Sequence, residues 1–167
     1  DKELTKEEYE RLLTAAMDKK NQRLYYLIQT IASTGIRVSE LRYITTSAVK
    51  TGQAVINCKG KMRIVILPKE LCKMLKGYIR ENNIKNGSVF VSRNGTPFDR
   101  SHIWKMLKAL CETAGVSKDK VYPHNFRHLF ARTYYSLQKD IVRLADILGH
   151  SSVNTTRIYT IETGEIH

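Results

Sequence analysis

Acidic residues are missing from a long central stretch of this chain. Between Leu41 and Lys69 there are six lysines and arginines and no aspartate or glutamate. Proline and glycine are also sparse, three and nine in 167 residues, which excludes a collagen-like chain or a low-complexity linker. The three cysteines, Cys58, Cys72 and Cys111, lie far apart and form no CxxC pair. An odd, scattered set argues against a disulfide scaffold and against a zinc ribbon, and it suits a reducing cytosol. No apolar run approaches the roughly 18 residues of a membrane span, and no signal-peptide pattern opens the chain. A membrane partner is therefore not expected.

What is abundant is positive charge. Lysine and arginine number 28 against 16 acids, a formal net charge of +12 with pI near 9.7. A pI above about 9 is the electrostatic footprint of a polyanion binder, nucleic acid before all others. Hydrophobic residues at 42% and charged residues at 26% are ordinary globular values. The length suits one domain over residues 1–167, with enough chain to bury a core.

The pattern along the chain is mostly helical. Thr5 and Glu8 form a capping box ahead of Tyr9, Leu12, Leu13, Ala16 and Met17 at helical spacing. A second helix carries Leu24, Leu27, Ile28 and Ile31 and is punctuated by Thr34-Gly35, after which a short helix runs over residues 38–43 with Leu41 turned inward. Two β-branched runs, 54–57 and 62–67, flank a basic hairpin tip at Lys59-Gly60-Lys61. Further expectations are a helix over 71–79, a short strand over 89–91 and a helix over 103–114 with Gly115 as its C′ residue. Another helix should begin near Asn125, one should span 141–148, and a last short one should run through Tyr159. The expected fold class is mainly α with a small antiparallel β-sheet, drawn as a meander near the middle.

Four segments carry chemistry-bearing side chains beside a turn or a helix end. They are Thr34-Gly-Ile-Arg37-Val-Ser-Glu40-Leu, Cys58-Lys59-Gly60-Lys61, His124-Asn-Phe-Arg127-His128, and Leu148-Gly-His150-Ser with Tyr159 nine residues beyond His150. In this order and at these spacings they resemble the tyrosine recombinases, the phage-integrase family of DNA strand-exchange enzymes, over residues 5–163. One departure is Ile161, where a histidine often follows the Tyr-Thr pair. The resemblance implies a recombinase catalytic domain.

It also implies roles. Arg37 and Arg127 would fork onto the non-bridging oxygens of a phosphodiester. Lys59, with Lys61 as its rival, would protonate the leaving 5′-oxygen. His124 would act as general base or phosphate donor, His150 as a second phosphate donor, and Tyr159 as the nucleophile. Glu40 would orient Arg37 from the same helix face, and His128 would pack behind the site. Breaking a phosphodiester needs such charge stabilisation, an in-line nucleophile and an acid for the leaving group. His124 and His128 at i,i+4 match a zinc-binding spacing. Asn125 stands where a zinc protease needs glutamate, and Arg127 would set a cation beside the metal, so no metal is expected. The covalent phosphotyrosyl route conserves bond energy, so no ATP or other cofactor is expected.

Arg42, Lys61, Arg63, Lys105 and Lys108 are candidate DNA contacts. The implied partners are double-stranded DNA and further copies of the chain, four to a synapse. The implied compartment is the cytoplasm of a bacterium, with a phage or other mobile element as the other possible source. The core-binding and arm-binding domains usual in the family have no counterpart in these residues, so the chain reads as a catalytic-domain fragment, monomeric by itself. The alternatives are type IB topoisomerase-like relaxation of DNA and a non-catalytic DNA-binding module on the same fold.

Overall fold

The computed structural model describes residues 3–18, 21–92, 95, 96 and 98–138. Helix α1 (Lys6–Asp18) starts from the expected capping box: the Thr5 amide donates to Glu8 at 3.0 Å and the Glu8 amide to the Thr5 hydroxyl at 3.1 Å. Helix α2 (Gln22–Thr34) begins at Asn21, whose side chain accepts from the Leu24 amide. Its only charged residue is Arg23. Leu24, Leu27, Ile28 and Ile31 are buried, and the Thr30 and Thr34 hydroxyls donate back to the carbonyls of Tyr26 and Thr30. Such a helix, apolar on most sides, belongs in the middle of a bundle. It packs against α1, α4 (Lys69–Glu81) and α6 (Pro123–Gln138), while α5 (Arg100–Ala114) packs on α1.

A 3₁₀ turn (Val38–Tyr43) and the short helix α3 (Thr46–Thr51) lead into the hairpin of β1 (Gln53–Cys58) and β2 (Lys61–Ile66). The pairing is antiparallel, from Gln53 opposite Ile66 to Cys58 opposite Lys61. Two residues therefore make the loop, Lys59 at φ 52° and Gly60 at φ 78°. Both left-handed positions together make a type I′ turn, whose twist matches that of the strands. Ala54, Ile56 and Val65 face the core; Val55, Met62, Ile64 and Ile66 stand on the outer face, exposed.

The fold class agrees with the sequence expectation, with four local differences. α3 was not expected; Thr45 caps it and Gly52 ends it, but six residues are too few to show a periodicity. The 38–43 segment is 3₁₀ rather than α. The expected strand over 89–91 is instead an isolated bridge of Ser88 with Thr45, flanked by the Val89 amide donating to the Ile44 carbonyl. The sheet among the described residues is thus a two-stranded hairpin and not a meander. Finally, α6 begins at Pro123, two residues before Asn125. Proline suits a first helical position because the N–H it lacks would be unpaired there anyway.

Candidate active site

The site is assembled at the C-terminal end of α2. Gly35 adopts φ 74° and its amide donates to the Ile31 carbonyl at 2.8 Å, closing the helix with a left-handed residue that glycine takes without strain. The chain then leaves in extended conformation through Arg37. The Gly35 carbonyl meets α6: Nε of Arg127 donates to it across 92 residues of sequence. Arg127 is only 2% exposed and is the largest fully buried side chain described. A guanidinium buried this way holds its charge and has its Nε direction fixed by the scaffold.

Glu40, 3% exposed, is the second buried charge. Its carboxylate accepts the Arg37 amide at 2.8 Å and both terminal nitrogens of Arg63, at 2.8 and 3.0 Å. The Arg37 guanidinium approaches it at 3.6 Å. Burial pushes the Glu40 carboxyl up, but the Arg63 hydrogen bonds, the Arg37 amide and the two positive charges outweigh it. The carboxyl ends below its ordinary range. The sequence pattern put Glu40 on Arg37, and the structure pairs the two through the Arg37 amide and guanidinium. It adds a partner that the pattern did not foresee: Arg63, expected on the DNA, forks onto the same carboxylate. The cause is register, since Arg63 stands opposite Ile56 on the inner face of the hairpin and points at the 3₁₀ turn.

His124 lies exposed at the start of α6, with its ring 6.2 Å from that of half-buried His128. Desolvation on its packed side comes first, and the charges of Arg127, Arg37 and Arg100 add to it; together they lower the imidazole pKa and favour the neutral ring. Arg37, Arg127 and His124 then line one pocket of about 210 Å³ together with Val38, Ser39 and Arg100. Three guanidiniums and an uncharged imidazole around one concavity make a receptor for an oxyanion such as a phosphodiester. Arg100 was missed from sequence. It opens α5 just after the Asp99 cap, and nothing local distinguishes it from a solvated cation.

Lys59 and Lys61 are both exposed at the hairpin tip. Lys61 shares its sheet face with Arg63, while Lys59 lies in the turn itself. Arg42 is exposed and stacks 5.0 Å from the Tyr43 ring, whose hydroxyl donates to the Asn57 carbonyl at 2.8 Å. Lys105 is exposed on α5. Lys108, expected on DNA, is otherwise engaged: its ammonium lies 4.5 Å from the Trp104 ring centre and donates to the Lys118 carbonyl. His150 and Tyr159, with the helices expected over 141–148 and through Tyr159, lie outside the described residues.

Comparison with known proteins agrees with this geometry. The model of the phage integrase family matches residues 2–165. Tyrosine recombinase XerH of Campylobacter jejuni is 38% identical over 94% of this chain and 47% of its own length. Tyrosine recombinase XerD of Halalkalibacterium halodurans is 32% identical over 95% of this chain and 56% of its own. The chain thus spans about half the length of the curated relatives it matches. Among solved structures, a XerA recombinase superposes with TM-score 0.81 at 36% identity, covering 95% of this chain and 57% of the other. A XerH site-specific recombinase bound to its palindromic difH substrate, in a post-cleavage complex, gives 0.78 at 28% identity, covering 96% and 49%.

Proposed function

The chain belongs to the phage integrase family, and from that premise we propose that it is the catalytic part of a site-specific recombinase that cuts and rejoins double-stranded DNA. The observation that carries the reading is the convergence of Arg37, Arg127 and His124, from two distant stretches of sequence, on one pocket.

In the proposed reaction the phenol oxygen of Tyr159 attacks the scissile phosphorus. A 3′-phosphotyrosyl bond forms as the bond to the 5′-oxygen breaks. Arg37 and Arg127 hold the non-bridging oxygens and stabilise the charge that grows on them. His124, neutral at rest, accepts the proton of the phenol, and His150 donates to the phosphate. Lys59 gives a proton to the leaving 5′-oxygen. A second strand's 5′-hydroxyl reverses these steps. Because the phosphotyrosyl bond keeps the energy of the bond it replaced, rejoining calls for no nucleotide hydrolysis. The partners in this reading are duplex DNA and three further copies of the chain at the synapse, in the cytoplasm.

A duplex nicked close to the cleavage site tests it, because the short flap diffuses away and traps the covalent state. The intact chain should give an SDS-resistant adduct and Tyr159→Phe none. A chain that relaxes plasmids lacking any recombination site would point to topoisomerase chemistry instead. Absence of adduct on every cognate site would leave only DNA binding.

A further inference from the structure

A second concavity adjoins the pocket and shares one wall with it. It measures about 250 Å³ and is lined by Val38, Ser39, Leu41, Arg42, Phe90, Phe98, Arg100 and Ile103. Val38, Ser39 and Arg100 line both spaces. Leu41, Phe90 and Ile103 are buried and make an apolar floor. Phe98 is fixed at one side by the Arg23 guanidinium, 5.1 Å from its ring centre, and by the His102 ring stacked at 5.7 Å. The cations at its rim are Arg42 and Arg100, and no acid lines it.

Arg100 is the distinctive member. Its side chain is exposed, and among the described residues it forms no ion pair. The other arginines near the site are differently placed: Arg63 forks onto Glu40, Arg37 approaches the same carboxylate, and Arg127 bonds the Gly35 carbonyl. A cation with no ion pair among the described residues, set beside two further guanidiniums, raises the local repulsion that an anion would relieve.

We propose that this groove is a subsite for the nucleotide next to the scissile phosphate, and that Arg100, standing in the wall between the two spaces, anchors that neighbouring phosphate. The inference rests on the recombinase reading for the identity of the strand, though not for the existence of the anion site. A cut strand whose scissile phosphate lies between Arg37 and Arg127 passes over the shared wall of Val38, Ser39 and Arg100. Its next sugar then lies over the apolar floor, with Arg42 further along. The guanidinium supplies a forked donor set suited to phosphate, which lysine supplies only as a point charge.

The test is binding of the full chain to an uncleaved duplex, measured against salt. Removing a single phosphate-binding cation lowers the slope of log K against log salt by about one. Arg100→Gln should show that decrease with an unchanged melting temperature, and Arg100→Lys should recover most of the slope. A series of duplexes with a single neutral methylphosphonate should then contain one position, beside the scissile one, that weakens the unchanged protein but costs Arg100→Gln nothing further. Equal slopes for the two proteins, or equal losses at every position, would overturn the proposal. If the slope falls as expected but no Tyr159 adduct ever forms, the recombinase reading fails and the phosphate subsite stands.

Discussion

Arg127 and Lys59 are assigned to one phosphate and live in opposite surroundings. Arg127 is buried on α6 and pinned to the carbonyl of Gly35, the residue whose amide closes α2. Lys59 is exposed in the two-residue turn at the tip of the hairpin. The contrast follows from what each would do in the proposed reaction. A group that stabilises developing charge works best when preorganised, because no reorganisation is then left for the reaction step. A proton donor must instead reach an oxygen that becomes available only as the strand is cut. The buried end of the site is therefore coupled to folding, and the exposed end to chemistry alone. Glu40 is the joint between them, since it binds the Arg37 amide on one side and the hairpin's Arg63 on the other.

The largest effect should come from Arg127→Ala. It removes the proposed phosphate fork, for which a loss of about 10³-fold or more in adduct formation is expected by analogy with arginine fingers. It also leaves a buried carbonyl unpaired, at a cost of about 1–3 kcal/mol in unfolding free energy. Adduct kinetics and a denaturant titration read the two losses separately. Lys59→Ala should separate them the other way, with stability within about 0.5 kcal/mol of the parent and cleavage severely slowed. A substrate whose leaving 5′-oxygen is replaced by sulfur needs no acid, so it should restore the rate for whichever lysine is the donor. Restoration for Lys61→Ala and not Lys59→Ala would reverse the assignment.

Next in size is Glu40→Gln. It strips charge from a forked, buried pair, and hydrogen bonds to charged groups are worth about 1.5–3 kcal/mol. The melting temperature should drop, and adduct formation should fall with it as both Arg37 and the hairpin lose their common anchor. The smallest effect is on pH. The Glu40 carboxyl is depressed in the folded state, so the stability it contributes is complete above its ordinary pKa of about 4.3 and is lost as pH falls through the lower folded value. Urea midpoints compared between pH 7 and pH 3 should converge for the parent and Glu40→Gln.

Much of this was legible in the chain itself. The Thr5–Glu8 box, the Gly35 and Gly115 helix ends and the hairpin each have a local chemical signature, and the structure forms all of them. The family-like motifs also put forward Arg37, His124 and Arg127, which the fold brings to one pocket, and Lys59, which stands at the hairpin tip outside that pocket's lining. What escaped depends on partners distant in sequence. The fork of Arg63 onto Glu40 spans 23 residues, and its direction follows from strand register, which a hydrophobic pattern sets only once the hairpin is closed. Arg100 joins the pocket solely because α5 begins beside the 3₁₀ turn. Lys108 resembles its basic neighbours in sequence; its i−4 neighbour Trp104 was there to be read on the same helix face, while the Lys118 carbonyl reaches it only because the chain turns back after α5.

In the proposed reaction Arg37 and Arg127 serve the negative charge of one scissile phosphate. Replacing a non-bridging oxygen of that phosphate by methyl removes the charge and leaves the bond to be cut. On such a methylphosphonate, the cleavage defect of Arg37→Ala should shrink by at least tenfold relative to its defect on ordinary DNA. An identical defect on the two substrates would rule this role out, because Arg37 would then be acting on something other than that charge.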